Sequence, residues 1–400
     1  MSANPKYVGA PHSGTGACAR DSRPNEMVSP KLLRTLPGYR PLTFVPEGIL
    51  LAKGYDLYVA NLECSRLSRV GAVPHALAAG ALRRSRTVER ILRFGIRFGC
   101  RIGESSYLLA ERNRLWLLEL PSGAVRLDHV IENGTKPLCI SRIRGVNGFL
   151  DGACYGEYWD NVSKEPVNIW VRSNQGVWRI AHTFPRGKIE HVHGMIPDES
   201  RGIVWIVTGD FGDAAGIWAA RRDFSEVLPV LVGKQEFRCC WLAFSDGQII
   251  YATDSPLMIN TVRRLILPQG YMESRDPWIG TRSEPFLEIS GSSIYHCRVQ
   301  NQVVFSTTVE PGLLSGRKLH DWLDRRPGPG IKGLHSDLMI GTQARGFSLA
   351  GRWEKDQWPL RLCEFGSISF PTGLNPGRFL YAYFTGLAYA DGSTGVFELE

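Results

Sequence analysis

His191 and His193 stand two residues apart and lead into Gly194, so on an extended strand both imidazoles project from the same face. Downstream, two apolar runs each end in an acid, Trp205-Ile206-Val207-Thr208-Gly209-Asp210 and Ile250-Tyr251-Ala252-Thr253-Asp254, with Arg238 between them. Glu157 and Tyr158 close an earlier run, and Glu310 follows a later one. Imidazoles exchange protons near neutral pH and ligate metals. Carboxylates held close raise one another's pKa, which keeps one protonated as an acid beside an ionised partner. A planar guanidinium grips a carboxylate with two parallel hydrogen bonds. The set is suited to acid–base chemistry on a polar, anionic substrate, and His191 and His193 with Asp210 or Glu157 could also hold a divalent metal. Each residue has an ordinary use as well. Strand-end acids accept backbone N–H bonds at turns, a strand histidine is satisfied in a core, and Arg238 pairs with Asp210 or Asp254.

These residues need a scaffold that brings distant strand ends together. Apolar strands ending in a polar residue recur at Glu111, Glu157, Asp210, Asp254 and Thr308, in steps of 46, 53, 44 and 54 residues. Matching strands follow three of these ends, at Asn168–Arg172, Gly216–Ala220 and Asn260–Arg264. A four-stranded propeller blade takes about 40 to 50 residues, and four to eight blades close a ring. The spacing therefore predicts an all-β propeller of six or seven blades, with seven favoured. Blades begin near Arg40, Phe98, Val146, His191, Arg238, Gly291 and Gly366, and the last is one strand short, so an N-terminal strand would close it. Residues 1–38 read as a disordered leader and 39–400 as one propeller domain. Apolar residues at helical spacing among arginines predict one inserted amphipathic helix within 75–98, centred on Ala81–Phe98. A long loop is expected at 313–345.

Composition agrees with many short strands joined by tight turns, with 43 glycines, 24 prolines and 11 tryptophans in 400 residues. The tryptophans Trp159, Trp205, Trp218 and Trp241 either offer stacking faces to sugars or fill the space between blades. The net charge of +8 comes mostly from the run Arg83 to Arg101, and no base-stacking or groove-reading motif accompanies it, which argues against nucleic acid as a partner. That run is instead a candidate for peripheral contact with an anionic membrane through residues 81–98. Nine cysteines at irregular spacing suggest buried thiols, and no apolar run suits a signal peptide or membrane span. The expectation is a soluble, cytoplasmic monomer.

The stretch Arg172-Ser173-Asn174-Gln175-Gly176-Val177-Trp178 resembles the Asp-box of the sialidase-type propellers, with Asn174 where the box carries Asp and one position deleted. In that superfamily the box is a structural turn on the outer part of a blade, so the resemblance implies a fold. The wider run from Gly156-Glu157-Tyr158 to Val309-Glu310 also looks like the glycan-active propellers, a group of glycosidases and polysaccharide lyases. The resemblance implies an acidic glycan at the channel mouth, bound by Tyr158, Asp210, Arg238 and Glu310. In a hydrolase, Glu157 and Asp254 would supply the acid and its partner. In a lyase, His193, beside His191, would abstract the proton next to a uronate carboxylate neutralised by Arg238. The alternative is a non-catalytic propeller that binds a glycan or a protein at the same mouth.

Overall fold

The computed structural model describes residues 30–75, 85–271, 274, 276–314, 316 and 318–399. Alternating or wholly apolar runs of five to seven residues, separated by turn-forming glycines, make strands throughout. Strand β1 is Lys31–Pro37. Blade 1 holds β2 (Arg40–Val45), β3 (Gly48–Lys53), β4 (Asp56–Ala60) and β5 (Leu67–Ala72); blade 2 holds β6 (Phe98–Arg101), β7 (Ser106–Glu111), β8 (Arg114–Glu119) and β9 (Ala124–Val130). Blade 3 is built of β10 (Ser141–Ile143), β11 (Gly152–Gly156), β12 (Val167–Ser173) and β13 (Trp178–Phe184); blade 4 of β14 (His191–Asp198), β15 (Ile203–Gly209), β16 (Gly216–Arg221) and β17 (Glu226–Val232). Blade 5 comprises β18 (Ala243–Ser245), β19 (Gln248–Ala252), β20 (Thr261–Ile266) and β21 (Arg282–Glu288); blade 6 comprises β22 (His296–Val299), β23 (Gln302–Ser306), β24 (His335–Thr342) and β25 (Gly346–Glu354). Blade 7 contains β26 (Ser367–Ser369), β27 (Phe379–Thr385) and β28 (Ser393–Glu398), and its fourth strand is β1.

The protein is thus a seven-bladed β-propeller of four-stranded antiparallel sheets. The ring closes where β1 pairs with β28 from Lys31↔Glu398 to Pro37↔Ser393. Residues 31–37, which composition assigns to a disordered leader, are therefore the closing strand; residues 1–29 lie outside the described residues. Their mostly exposed side chains, with leucines that do not alternate cleanly with polar residues, hide the role, because β1 is an outermost strand that contributes ladder hydrogen bonds more than core. Apolar layers between blades carry the packing. Blades 3 and 4 share Ile169, Val171, Val192, Met195, Ile206 and Trp218, and blades 4 and 5 share Trp205, Val207, Ile217, Tyr251 and Trp278. Trp205, Trp218 and Trp241 are buried in these layers and offer no sugar-stacking face.

Two expected boundaries change. Helix α1 spans only Arg86–Leu92, capped by Ser85 and ended by Arg93 in the left-handed region, and Phe98 already belongs to β6. Residues 76–84 lie outside the described residues. Three arginines of this run pair within the protein: Arg86 with Asp391, Arg90 with Asp356 at 2.5 Å, and Arg97 with Glu364 at 2.7 Å. Segment 313–345 is not one loop, for it contains helix α2 (Lys318–Leu323) and strand β24. No helix among the described residues is long and apolar enough to cross a membrane.

Truncation before Gly38 removes β1 and bares the β28 edge. We expect the thermal midpoint to fall by roughly 5 °C or more and association to become concentration-dependent, as read by calorimetry and size-exclusion chromatography.

Candidate functional site

In each blade the first strand runs away from one mouth of the channel and the second returns to it. The starts of first strands and the ends of second strands therefore gather at that mouth. This places Glu157 after β11, Asp210 after β15 and Asp254 after β19 at the same end of neighbouring blades, as the repeat spacing predicts. The channel, about 2210 Å³ in volume, is lined there by Tyr158, His193, Arg238, Cys240, Asp254 and Glu310.

His191 opens β14, and His193 is the extra residue of a β-bulge, since the register with β15 shifts between Val192 and Gly194. Bulges re-aim side chains, and here the two rings tilt together with their Nε2 atoms 3.1 Å apart. Each Nδ1 faces a backbone carbonyl, His191 that of Trp159 at 2.8 Å and His193 that of Cys239 at 3.1 Å. A carbonyl only accepts, so both Nδ1 atoms carry hydrogen. The two Nε2 atoms then point toward Asp210 Oδ1, at 3.3 Å from His191 and 2.9 Å from His193. Gly209 makes this possible, for a Cβ there would lie 2.2 Å from the His193 ring; a Cβ on Gly194 would lie 2.6 Å from the Cys240 carbonyl oxygen.

Arg238 is the hub of the wall beside them. Its Nη2 lies 3.1 Å from Asp210 Oδ1 and its Nε 3.5 Å from Asp254 Oδ2, and the guanidinium stacks 5.2 Å above the Phe211 ring. Burial alone would raise the Asp210 carboxyl, but Arg238 and the two imidazoles outweigh it and hold the group well below the usual carboxylate range. Burial likewise disfavours charge on Arg238, yet Asp254, Asp210 and Glu310 keep it firmly protonated. At Glu310 the relief from Arg238 is too small. Burial, then the nearby Asp254 charge, push its carboxyl up to about 8, although Ser292 donates to it at 2.9 Å. The Cys240 thiol donates to Asp254 Oδ2 at 3.2 Å and is pushed well up by burial and by Asp254. Burial and the surrounding acids also raise the Tyr158 phenol, which makes it a donor. Asp254 Oδ1, Arg238 Nε and Thr308 Oγ1 are buried without a hydrogen-bond partner.

Glu157 stands apart from this group. Its carboxylate accepts from Asn133 Nδ2, Asn168 Nδ2, Trp170 Nε1 and the Asn168 N–H, so it is a satisfied structural acid and not the candidate catalytic one. The mouth also holds cations that the sequence motifs do not flag. Arg40 starts β2, Arg97 precedes β6, and Lys136 precedes β10, all on blades 1–3. Burial, then Arg97, Arg93 and Arg40, push the Lys136 ammonium down to about 7 against the pull of Glu364. Arg40 and Arg97 stand at or next to the start of a first strand, a signal that could have found them, whereas Lys136, five residues before β10, carries none.

The Asp-box-like stretch forms the β12–β13 turn, where Ser173 N–H and Val177 C=O pair at 2.9 Å. Asp128 of blade 2 holds it from outside, taking two bonds from Arg172 and one from Trp178. No protein-family model matches the sequence, and no curated protein matches it either. Solved structures share the fold at low identity. A chain of a mitotic checkpoint complex matches at a TM-score of 0.51 and 11% identity over 98% of this chain and 99% of its own. The tricorn protease matches at 0.51 and 8% over 92% of this chain and 34% of its own. An oligogalacturonate lyase from Vibrio parahaemolyticus matches at 0.50 and 10% over 94% and 92%. These likenesses show a shared fold alone and leave the chemistry to the site.

A Gly209→Ala substitution must displace the His193 ring, because the clash is with a ring held on both sides. The expected result is a folded protein whose two imidazole Nε2 resonances move apart from their parental values by nuclear magnetic resonance, with stability reduced by about 1–3 kcal/mol.

Proposed function

We propose that the mouth binds an acidic glycan and that Glu310 and Asp254 are the acid–base pair that cleaves it. The observation that carries the reading is the charge layout. On one side of the mouth, desolvation and then the charges of Arg97, Arg93 and Arg40 bring the Lys136 ammonium down to about 7, a cost that an anionic ligand would relieve. Lys136 has no ion-pair partner among the described residues, whereas Arg97 is paired with Glu364. Opposite stands a carboxyl pair split by Arg238, with Glu310 protonated near neutral pH and Asp254 beside the guanidinium. A carboxyl group that holds its proton near neutral pH, facing a common space with a second carboxyl group, is what glycosidic cleavage uses.

This layout moves two roles. Glu310 replaces Glu157 as acid, because Glu157 is fully bonded to its own blade and to Asn133. His193 is a poor base for a lyase, since Nδ1 donates to the Cys239 carbonyl and Nε2 faces Asp210. The sialidase-type resemblance and the lyase-named neighbour are compatible with a glycan ligand, and the charge of the mouth, not the neighbour, supports it.

The test is incubation with a panel of acidic and neutral polysaccharides, followed by measurement of reducing ends and of ultraviolet absorbance from a conjugated double bond. Reducing ends without that absorbance are expected from acidic polymers, with activity lowered at least about 100-fold in Glu310→Gln and Asp254→Asn. New absorbance would transfer the reading to a lyase, and absence of any polysaccharide binding would leave a protein-binding propeller. A pH series supplies an independent check. Binding an anion favours the charged ammonium, so affinity for an acidic oligosaccharide should fall by up to about tenfold per pH unit as pH rises above about 7, and Lys136→Met should flatten that slope. For stability, the Glu310 pKa is raised on folding, so the folded state binds more protons than the unfolded chain between the ordinary carboxyl value and about 8. Stability therefore falls across that window as pH rises, by at most about 1.4 kcal/mol per unit, and Glu310→Gln should remove this slope in denaturant titrations.

A further inference from the structure

We propose that His191 Nε2, His193 Nε2 and Asp210 Oδ1 form a facial binding site for one divalent transition-metal ion at the rim of the mouth. The three atoms form a triangle with sides of 3.1, 2.9 and 3.3 Å. The point equidistant from them lies about 1.8 Å from each, so an ion held at the usual ~2.1 Å stands about 1 Å out of their plane with angles of about 90–105° between these three ligands, nearer one face of an octahedron than a tetrahedron, and its remaining positions open. The outer contacts are those that metal-bound imidazoles make, each donating its other N–H to a backbone carbonyl and so fixing the tautomer that presents Nε2 as a lone pair. Asp210 Oδ1 retains a second lone pair for Arg238.

Protons do not satisfy this arrangement as well. With one proton shared between His193 and Asp210, the His191 lone pair still faces a carboxylate oxygen at 3.3 Å. With two protons, two imidazoliums face each other at 3.1 Å. A single cation satisfies all three acceptors together, and its charge is partly offset by the acids around Arg238. Two imidazoles and one carboxylate suit Zn2+, Mn2+, Fe2+ or Co2+ rather than Mg2+ or Ca2+. The neighbouring group of His193, Cys240 and Asp254 is a weaker candidate, because its histidine atom is Nδ1, which donates to the Cys239 carbonyl, and its thiol is held protonated.

The test uses full-length protein stripped with chelator and dialysed, titrated calorimetrically with Zn2+ and Mn2+, with Co2+ added separately to read its visible d–d absorption on binding. One equivalent is expected to bind, with affinity lowered at least about 100-fold in His191→Gln and Asp210→Asn and changed less than about threefold in Cys240→Ser. Absence of saturable binding overturns the proposal, as does equal affinity in the two ligand variants or loss of binding in Cys240→Ser. Melting curves identify a variant that fails to fold. In that case the parent decides: Zn2+ must shift the Nε2 resonances of both histidines in nitrogen-15 spectra, and unmoved resonances refute the site. No glycan enters these measurements, so they stand or fall separately from the cleavage reading.

Discussion

A guanidinium buried at the channel mouth is what allows two acids to sit there. Arg238 touches Asp210 and Asp254, and without its charge the burial of both carboxylates would force at least one to take up a proton. Glu310, the third acid in the field of the same cation, is the one left protonated. The division of labour among the acids thus follows from burial, from the Asp254 charge beside Glu310 and from the contacts of Arg238 with Asp210 and Asp254. The imidazole pair depends on the same group, because Asp210 is pinned between Arg238 and the two rings.

Much of the fold was legible because propeller blades repeat. The starts at Arg40, Phe98, His191 and Gly366 fall within a residue of the observed first strands. Those at Val146, Arg238 and Gly291 miss by about five residues, since apolar or aromatic character in the loop after β10 and in the loops before β18 and β22 imitates strand. The missing strand of the last sheet pointed to closure by the N-terminus, but β1 itself could not be read, because an exposed outermost strand carries no apolar alternation. The arginine helix was read too long for a related reason. Its pattern of arginines and apolar residues continues into β6, and the acids that neutralise it arrive from residues 356–391, far beyond any local window.

The site was legible only where chemistry coincides with a strand end. His191, His193, Asp210, Arg238, Asp254 and Glu310 carry that signature, and the structure gathers them. Glu157 carries it equally, yet Asn133 from the neighbouring blade and Asn168 from its own claim its oxygens, and nothing in its own strand announces them. Lys136 lies in an irregular segment with no motif, so its role emerges only when blades 1–3 converge.

The closure has a mechanical side. Lys31 at the start of β1 lies opposite Glu398 at the finish of β28, so the two ends of the described ring emerge side by side at the same rim of the last sheet. Tension applied through segments on either side would load that ladder at its outer rung and peel it bond by bond, never shearing all of its bonds at once. Such a seam yields at low force, whereas the six other blades, each made of consecutive strands, carry none of that load until it has parted. In any larger assembly the ring would therefore behave as a clasp that opens at one known place.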